Sequence, residues 1–217
     1  MNYKHSDTIL EIYHNRDAVW FFDYEGDPTA PHVELTGGSC SDGYVNSALV
    51  TSVPGTLSFI VSELMPYLPR ADWVVGSPYA AITFSYEVAR QMGAMHGHAE
   101  KDARDPKRLR WSRFAIPEGA TVLQAEELIT TFGTTLTVRQ AIEEGNHAPV
   151  RFLPVVGTII YRPPTLDVPP PLEVCALVER EIRTWTRDAC PLHRQGSPAL
   201  RPKAKEHWTE LTRKQRA

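Results

Sequence analysis

The chain has 217 residues, of which 42% are hydrophobic and 23% charged. That composition fits a soluble globular protein of one large domain, or one domain with an appendage, and is too apolar for a disordered chain. A net charge of −3 excludes a polycation that coats nucleic acid, although residues 194–217 gather seven Lys/Arg against two Asp/Glu.

Three cysteines, Cys40, Cys175 and Cys190, are too few for a disulfide scaffold. The polar start at residues 1–5 lacks the apolar core of a signal peptide, and no apolar run reaches the roughly 18–20 residues of a membrane span. A reduced, cytoplasmic protein with no membrane partner is the expectation.

In chain order, residues 18–22 and 32–35 read as short strands. Residues 36–44, rich in Gly, Ser and Asp, read as a loop. Pro54 and Gly55 open a segment in which Leu57, Ile60, Val61, Leu64, Met65 and Leu68 recur at helical spacing, which predicts an amphipathic helix over 54–68. Residues 73–76 form a buried strand, 77–81 a turn, and 82–92 a helix closed by Gly93. A second strand is predicted at 120–125, a turn at 130–135, a helix through Glu144 stopped by Gly145, and a β-branched strand at 155–161. Strand–turn–helix units in succession imply a parallel sheet with ligands outside the carboxyl ends of its strands. Pro169, Pro170 and Pro171 read as a stiff linker. Leu172, Cys175, Ala176, Val178 and Ile182 then predict a helix over 172–187, and a weaker helical signal lies near 206–211.

The segment from Thr121 to Thr135 carries the chemistry. A buried strand ends in Glu126 and Glu127, and a turn rich in hydroxyls leads into a helix N-terminus. Backbone N–H groups, threonine hydroxyls and the helix dipole suit a phosphate. The carboxylates suit ribose hydroxyls or a Mg²⁺ held through water. The plainer reading is that the threonines cap a helix and the acids are solvated.

The segment resembles the phosphoribosyl-pyrophosphate (PRPP) signature of type I phosphoribosyltransferases: an apolar strand, two acids, two apolar residues, then a Thr/Gly turn. The orotate branch is matched further, in order, by Ser41 and Tyr44 with their neighbours, by Val74 to Ile82 as a pyrophosphate-loop strand and turn, by Lys101 in a mobile basic loop, and by the strand ending at Tyr161 and Arg162. The resemblance covers residues 32–165. It departs at Glu126 and Glu127, where the family has an acid followed by Asp, and at Phe132, which replaces the first Gly of the turn. It also departs at Ala81, where a Gly is common, and at Cys40, where many orotate enzymes are basic.

The resemblance implies a twisted parallel sheet flanked by helices, with a small N-terminal hood and a C-terminal helical extension, divided at 1–168 and 169–217. It implies transfer of phosphoribose from PRPP to a base such as orotate, with release of pyrophosphate, Mg²⁺ as cofactor and a homodimer. In that reading Glu126 and Glu127 hold the ribose, and Thr130, Thr131, Gly133, Thr134 and Thr135 cradle the 5′-phosphate. Ser77, Pro78, Tyr79 and Ala80 meet pyrophosphate, Lys101 contacts it as well, and Arg162 faces the base. A module that senses PRPP without turnover, which Phe132 favours, and a transferase for another base are the alternatives. The cations His96, His98, Lys101, Arg104, Lys107, Arg108, Arg110 and Arg113 read as a flap over a polyanion, or as an exposed charged loop.

Two weaker features remain. Cys190 and His193, with Cys175 nearby in sequence, have the spacing of half a zinc site. A structural site needs four ligands, and no second clean pair is visible; His207 and Cys40 are open candidates. A core Cys175 and a surface Cys190 is the favoured reading, and no metal ligand is assigned. The basic tail, with Trp208 among Lys203, Lys205, Arg213, Lys214 and Arg216, reads as a solvated segment, with RNA, an acidic partner or the substrate's flank as other readings.

Overall fold

The computed structural model describes residues 6–22, 27, 29–105 and 108–213. Residues 1–5, Lys107, Lys214 and Arg216 lie outside the described residues. The chain opens with α1 (Ser6–His14), where Asp7 in the first turn and His14 in the last complement the helix dipole. Four short strands follow: β1 (Val19–Phe21), β2 (His32–Glu34), β3 (Cys40–Ser41) and β4 (Gly43–Val45). The expected loop at 36–44 is therefore only partly a loop, because β3 pairs with β2 and β4 with β1. After α2 (Ala48–Thr51) comes α3 (Pro54–Leu64), whose Pro stands at the first turn, where an N–H would have no intrahelical acceptor. A 3₁₀ turn at Met65–Tyr67 completes the predicted helix.

The sheet core begins with β5 (Trp73–Gly76) and α4 (Ala81–Met92), which Gly93 ends in the left-handed region at φ 74°. Next come β6 (Met95–His98), β7 (Glu100–Lys101) and β8 (Leu109–Arg110). Then follow β9 (Thr121–Ile129), α5 (Gly133–Gly145) and β10 (Arg151–Tyr161). The chain finishes with β11 (Glu173–Glu179), β12 (Thr184–Trp185), α6 (Pro191–Arg194), β13 (Ala199–Leu200) and α7 (Lys205–Thr212).

The principal sheet has the order β11-β10-β9-β5-β6 and is parallel throughout. The chain runs outward from β5 to β6, then returns to β9 on the other side, so the strand order reverses between β5 and β9. That is the place where open α/β sheets receive ligands. Side chains alternate across β9. Leu123 and Ala125 join a large core with α1, α3 and α4, while Val122 packs with Val138 and Ile142 of α5.

The predicted helix over 172–187 is corrected: β11 occupies 173–179 and pairs with β10 from Val155↔Glu173 to Tyr161↔Glu179. The run Cys175 to Val178 is buried, and periodicity alone does not separate such a run from a helix. The C-terminal segment is helical instead in the short α6 and in α7, the latter close to the weaker signal. Beyond the three prolines, β12 pairs with β3 and β13 with β2, in a second sheet of order β12-β3-β2-β13. Gly43 leaves room for Ile182, which a Cβ there would meet at 3.0 Å. His96 and His98 belong to sheet strand β6, so the cationic loop begins later than residue 96. It is a hairpin of β7 with β8.

Candidate functional site

Three neighbouring strand ends build the site. β5 ends at Gly76 and delivers Ser77, β9 ends at Ile129 and delivers Thr130, and β10 ends at Tyr161 and delivers Arg162. The Arg162 N–H donates to the Ile129 carbonyl at 2.9 Å, which fastens the last two ends together.

Glu126 projects toward the α5 face and is 3% exposed. The Ser77 hydroxyl donates to its Oε2 at 2.5 Å, and the Gln124 amide donates to its Oε1 at 2.8 Å. Burial pushes the Glu126 carboxyl up from 4.5 to about 7, against the lowering effect of the Ser77 and Gln124 hydrogen bonds. The network continues inward. Gln124 also donates to the Thr135 carbonyl at 3.1 Å and accepts from Arg139 at 3.1 Å. Gln124 and Arg139 were not among the residues expected to matter, although a glutamine amid Val122, Leu123 and Ala125 was a visible signal of an interior polar link. Glu127 lies on the opposite face of β9, where burial raises its carboxyl too and its charge acts on Tyr13. Adjacent acids on a strand necessarily diverge, so the structure does not bring Glu126 and Glu127 together as a pair.

The turn after β9 answers the question Phe132 raises. Phe132 adopts φ 64°, the left-handed geometry a glycine would take, and precedes the first residue of α5. Its ring is 4% exposed and packs with Ile129, Val156 and Ala176, edge-on to Tyr161 at 5.9 Å. The ring therefore points into the sheet rather than across the helix N-terminus. A Cβ at Gly133 would meet none of the described residues within 4 Å. The first intrahelical bond is Leu136 N–H to Phe132 carbonyl, so the N–H groups of Gly133, Thr134 and Thr135 have no helical acceptor. Thr131 and Thr134 are exposed around this opening and Thr130 is half-buried, whereas the Thr135 side chain is buried.

Ser77 is buried, Pro78 is half-buried, and Tyr79 and Ala80 are exposed; the Pro78–Tyr79 peptide is cis. The Lys101 ammonium lies over the Tyr79 ring at 5.5 Å, so the hairpin does reach the Ser77–Ala80 loop. Other hairpin cations pair locally, Arg110 with Asp102 at 3.7 Å and Arg113 with Glu100 at 2.5 Å. Arg162 holds a buried Nε with no hydrogen-bond partner among the described residues, an unmet donor at the strand end. Cys40 is 1% exposed in the second sheet and does not stand at these loops. Cys190 is fully buried, which corrects the expected surface position, and Cys175 is buried as expected. No helix among the described residues is long and apolar enough to cross a membrane.

Comparison with known proteins follows the same line. No family model matches the chain. The orotate phosphoribosyltransferase of Caldicellulosiruptor bescii is 33% identical over 173 residues, 79% of this chain and 87% of the relative. That of Caldanaerobacter subterraneus subsp. tengcongensis is 30% identical over 199 residues, 90% of this chain and 96% of the relative. Among solved structures, Mycobacterium tuberculosis orotate phosphoribosyltransferase in complex with inorganic phosphate superposes with a TM-score of 0.53 at 15% identity. It covers 80% of this chain and 96% of its own, a likeness of fold. With the sheet, the strand-end loops and these relatives in agreement, the chain belongs to the orotate phosphoribosyltransferase family.

Proposed function

We propose that this protein transfers the phosphoribosyl group of PRPP to orotate and releases pyrophosphate. The observation that carries the reading is the placement of Phe132: its ring is buried against Tyr161 while the backbone keeps the left-handed turn. The N-terminus of α5 is thereby open to a 5′-phosphate, and the main support for a non-catalytic sensor is removed. Thr130, Thr131, Gly133, Thr134 and Thr135 cradle that phosphate, the last through its backbone N–H.

In the reaction, a base nitrogen attacks C1 of the ribose as the bond from C1 to pyrophosphate breaks. This chain's contribution is to position the partners, spread charge and exclude water. Glu126 receives the ribose hydroxyls, which take the place of the Ser77 hydroxyl on its Oε2. Ser77, Pro78, Tyr79 and Ala80 follow the departing pyrophosphate, and Lys101 leaves the Tyr79 ring to meet it. The unmet Nε of Arg162 suits the carboxylate of orotate, since a buried donor gains most from an ionised acceptor.

Mg²⁺ fits the donor set. The loops offer hard oxygen donors in Ser77 and Glu126, and no closed cage of His, Cys, Asp or Glu forms at these strand ends among the described residues. Ser77 and Glu126 would hold the ion through water, sharing it with substrate phosphates, as this cation prefers. When bound, it supplies charge neutralisation for the leaving pyrophosphate. A homodimer completes the reading, supported by exposed apolar surface at the edge strand β6, where Met95 is 60% exposed and Tyr86, edge-on to His96 of that strand, 55%. A cytoplasmic location accords with three cysteines, none of them in a disulfide.

Pyrophosphate release measured with PRPP, Mg²⁺ and a panel of bases tests the proposal. Release with orotate and not with adenine, guanine or uracil is expected. PRPP binding by calorimetry without release for any base would restore the sensor, and release with another base alone would reassign the substrate.

A further inference from the structure

The second sheet assembles a cluster that the reaction does not use. His32 of β2, Cys40 of β3 and Cys190 at the start of α6 are all buried, and one ligand atom from each lies within 4.8 Å of the others. His193, one turn into α6, packs edge-on to His32 with ring centroids 6.1 Å apart. Its Nδ1 is buried and has no hydrogen-bond partner among the described residues. We propose that His32, Cys40, Cys190 and His193 form a structural zinc site that fastens the N-terminal strands to the C-terminal segment.

Hydrogen bonding sets the tautomer of His32. The Ser197 hydroxyl gives its one proton to the Ala30 carbonyl at 2.5 Å. It must therefore accept from His32 Nδ1, 2.7 Å away, so Nδ1 carries the hydrogen. The lone pair on Nε2 is left facing Cys190 Sγ at 3.7 Å. A metal-bound histidine is oriented by such a bond from its other ring nitrogen.

The spacing agrees with one shared ion. Zn–S of about 2.3 Å and Zn–N of about 2.0 Å at a tetrahedral angle put sulfur and nitrogen roughly 3.5 Å apart. Two imidazoles on one tetrahedral zinc place their centroids about 5 Å apart. The observed 6.1 Å asks His193 to close by about 1 Å. Two thiolates cancel the charge of a divalent ion, so the occupied site is neutral and tolerates burial. Two sulfurs and two imidazoles in tetrahedral array select zinc over magnesium or calcium. His207, the other candidate in the sequence, instead accepts from the Arg201 N–H at 3.2 Å.

The ligands lie far apart in sequence, His32 and Cys190 being 158 positions apart. A metal there closes a long loop and holds together strands only two or three residues long. Ligation by the folded state alone couples zinc to stability.

The test uses the full chain, purified under reducing conditions without chelator. Elemental analysis is expected to give about one zinc per chain, and Cys190→Ser to reduce it below about a tenth. Cobalt added to the reduced, metal-stripped wild type is expected to give thiolate-to-cobalt charge-transfer absorption and the visible bands of a tetrahedral ion. This readout does not depend on whether a variant folds. His193→Ala should weaken zinc binding by at least 10–100-fold, the loss seen when even a ligand-orienting group is removed. No zinc in the isolated protein together with no cobalt charge-transfer band overturns the proposal. So does a Cys40–Cys190 disulfide that, once reduced, binds no cobalt. An unchanged affinity in His193→Ala overturns the four-ligand assignment.

Discussion

The two larger sheets of this molecule are held by different chemistry. The five-stranded sheet has strands of up to 11 residues and lies against a core that includes Phe84, Leu64, Leu123 and Ile159, all fully buried. The four-stranded sheet has strands of two or three residues, a small cluster of Cys40, Cys190 and Leu192, and buried polar side chains in His32, Ser41 and Ser197. Apolar burial is spread over many contacts, so the large sheet tolerates polar function at its strand ends. The small sheet concentrates its stability in a few directional groups, each costly to leave unmatched. In the large sheet, therefore, substitutions should act through volume and charge and be blind to metal. In the small one they should act through ligation.

The largest effect expected is at Phe84, fully buried among the helices on the sheet. Phe84→Ala should cost about 3–5 kcal/mol in denaturant unfolding, with the same loss with and without chelator. A chelator-dependent loss would erase the distinction between the sheets.

Glu126 comes next, the polar exception inside the large sheet. Its carboxyl titrates at about 7 in the folded chain against an ordinary 4.5. Between these values the folded state holds a proton that the unfolded state has released, so stability falls as pH rises through the interval. The charged form costs on the order of 3 kcal/mol at pH 8. Glu126→Gln removes the charge and keeps partners for Ser77 and Gln124. It should raise the unfolding free energy at pH 8 by about 2–3 kcal/mol, show little gain near pH 4, and lower turnover by about 100-fold. Equal gains at both pH values would rule out the buried charge as the cause.

These contrasts track what was legible in the sequence. β5, α4, α5 and β10 were readable because Val74, Val88, Val138 and Ile159 repeat at periods that buried faces impose. β11 was not, since Cys175, Ala176 and Val178 fit a helix stripe as well as a strand, and only pairing with β10 decides. At the site, the turn and its threonines could be placed from their order. The divergence of Glu126 from Glu127 could not, because it depends on β9 continuing through both to Ile129. The metal cluster was half visible in Cys190 and His193. His32 and Cys40 carry no local mark, because only the docking of the C-terminal segment on the N-terminal strands makes them neighbours.

Phe132 tests whether backbone geometry or ring packing dominates at the cradle. Phe132→Gly removes a buried ring, a loss of about 3–5 kcal/mol, and relieves a left-handed conformation that costs about 1–2 kcal/mol in a non-glycine residue. A net destabilisation of about 2 kcal/mol follows by thermal or denaturant unfolding. Because the ring points away from the α5 N-terminus, calorimetric PRPP affinity should change by less than about threefold. A large gain in affinity would mean that the ring enters the cradle in solution.

The smallest stability effect should be at Lys101, and there stability and function separate most cleanly. Its ammonium sits over Tyr79, itself 70% exposed, in a contact of the kind worth about 0.5–1 kcal/mol at the surface. Lys101→Ala should leave the unfolding midpoint nearly unchanged, because the hairpin retains its ion pairs from Arg110 and Arg113. It should nevertheless lower kcat/KM for PRPP by 10-fold or more, since a cation that meets pyrophosphate as it leaves acts mainly in the transition state. Tyr79→Ala frees the lysine from its resting place while keeping the charge, and should lower activity by less than Lys101→Ala does. If the two variants lose activity equally, the ring rather than the cation is what the pyrophosphate loop requires.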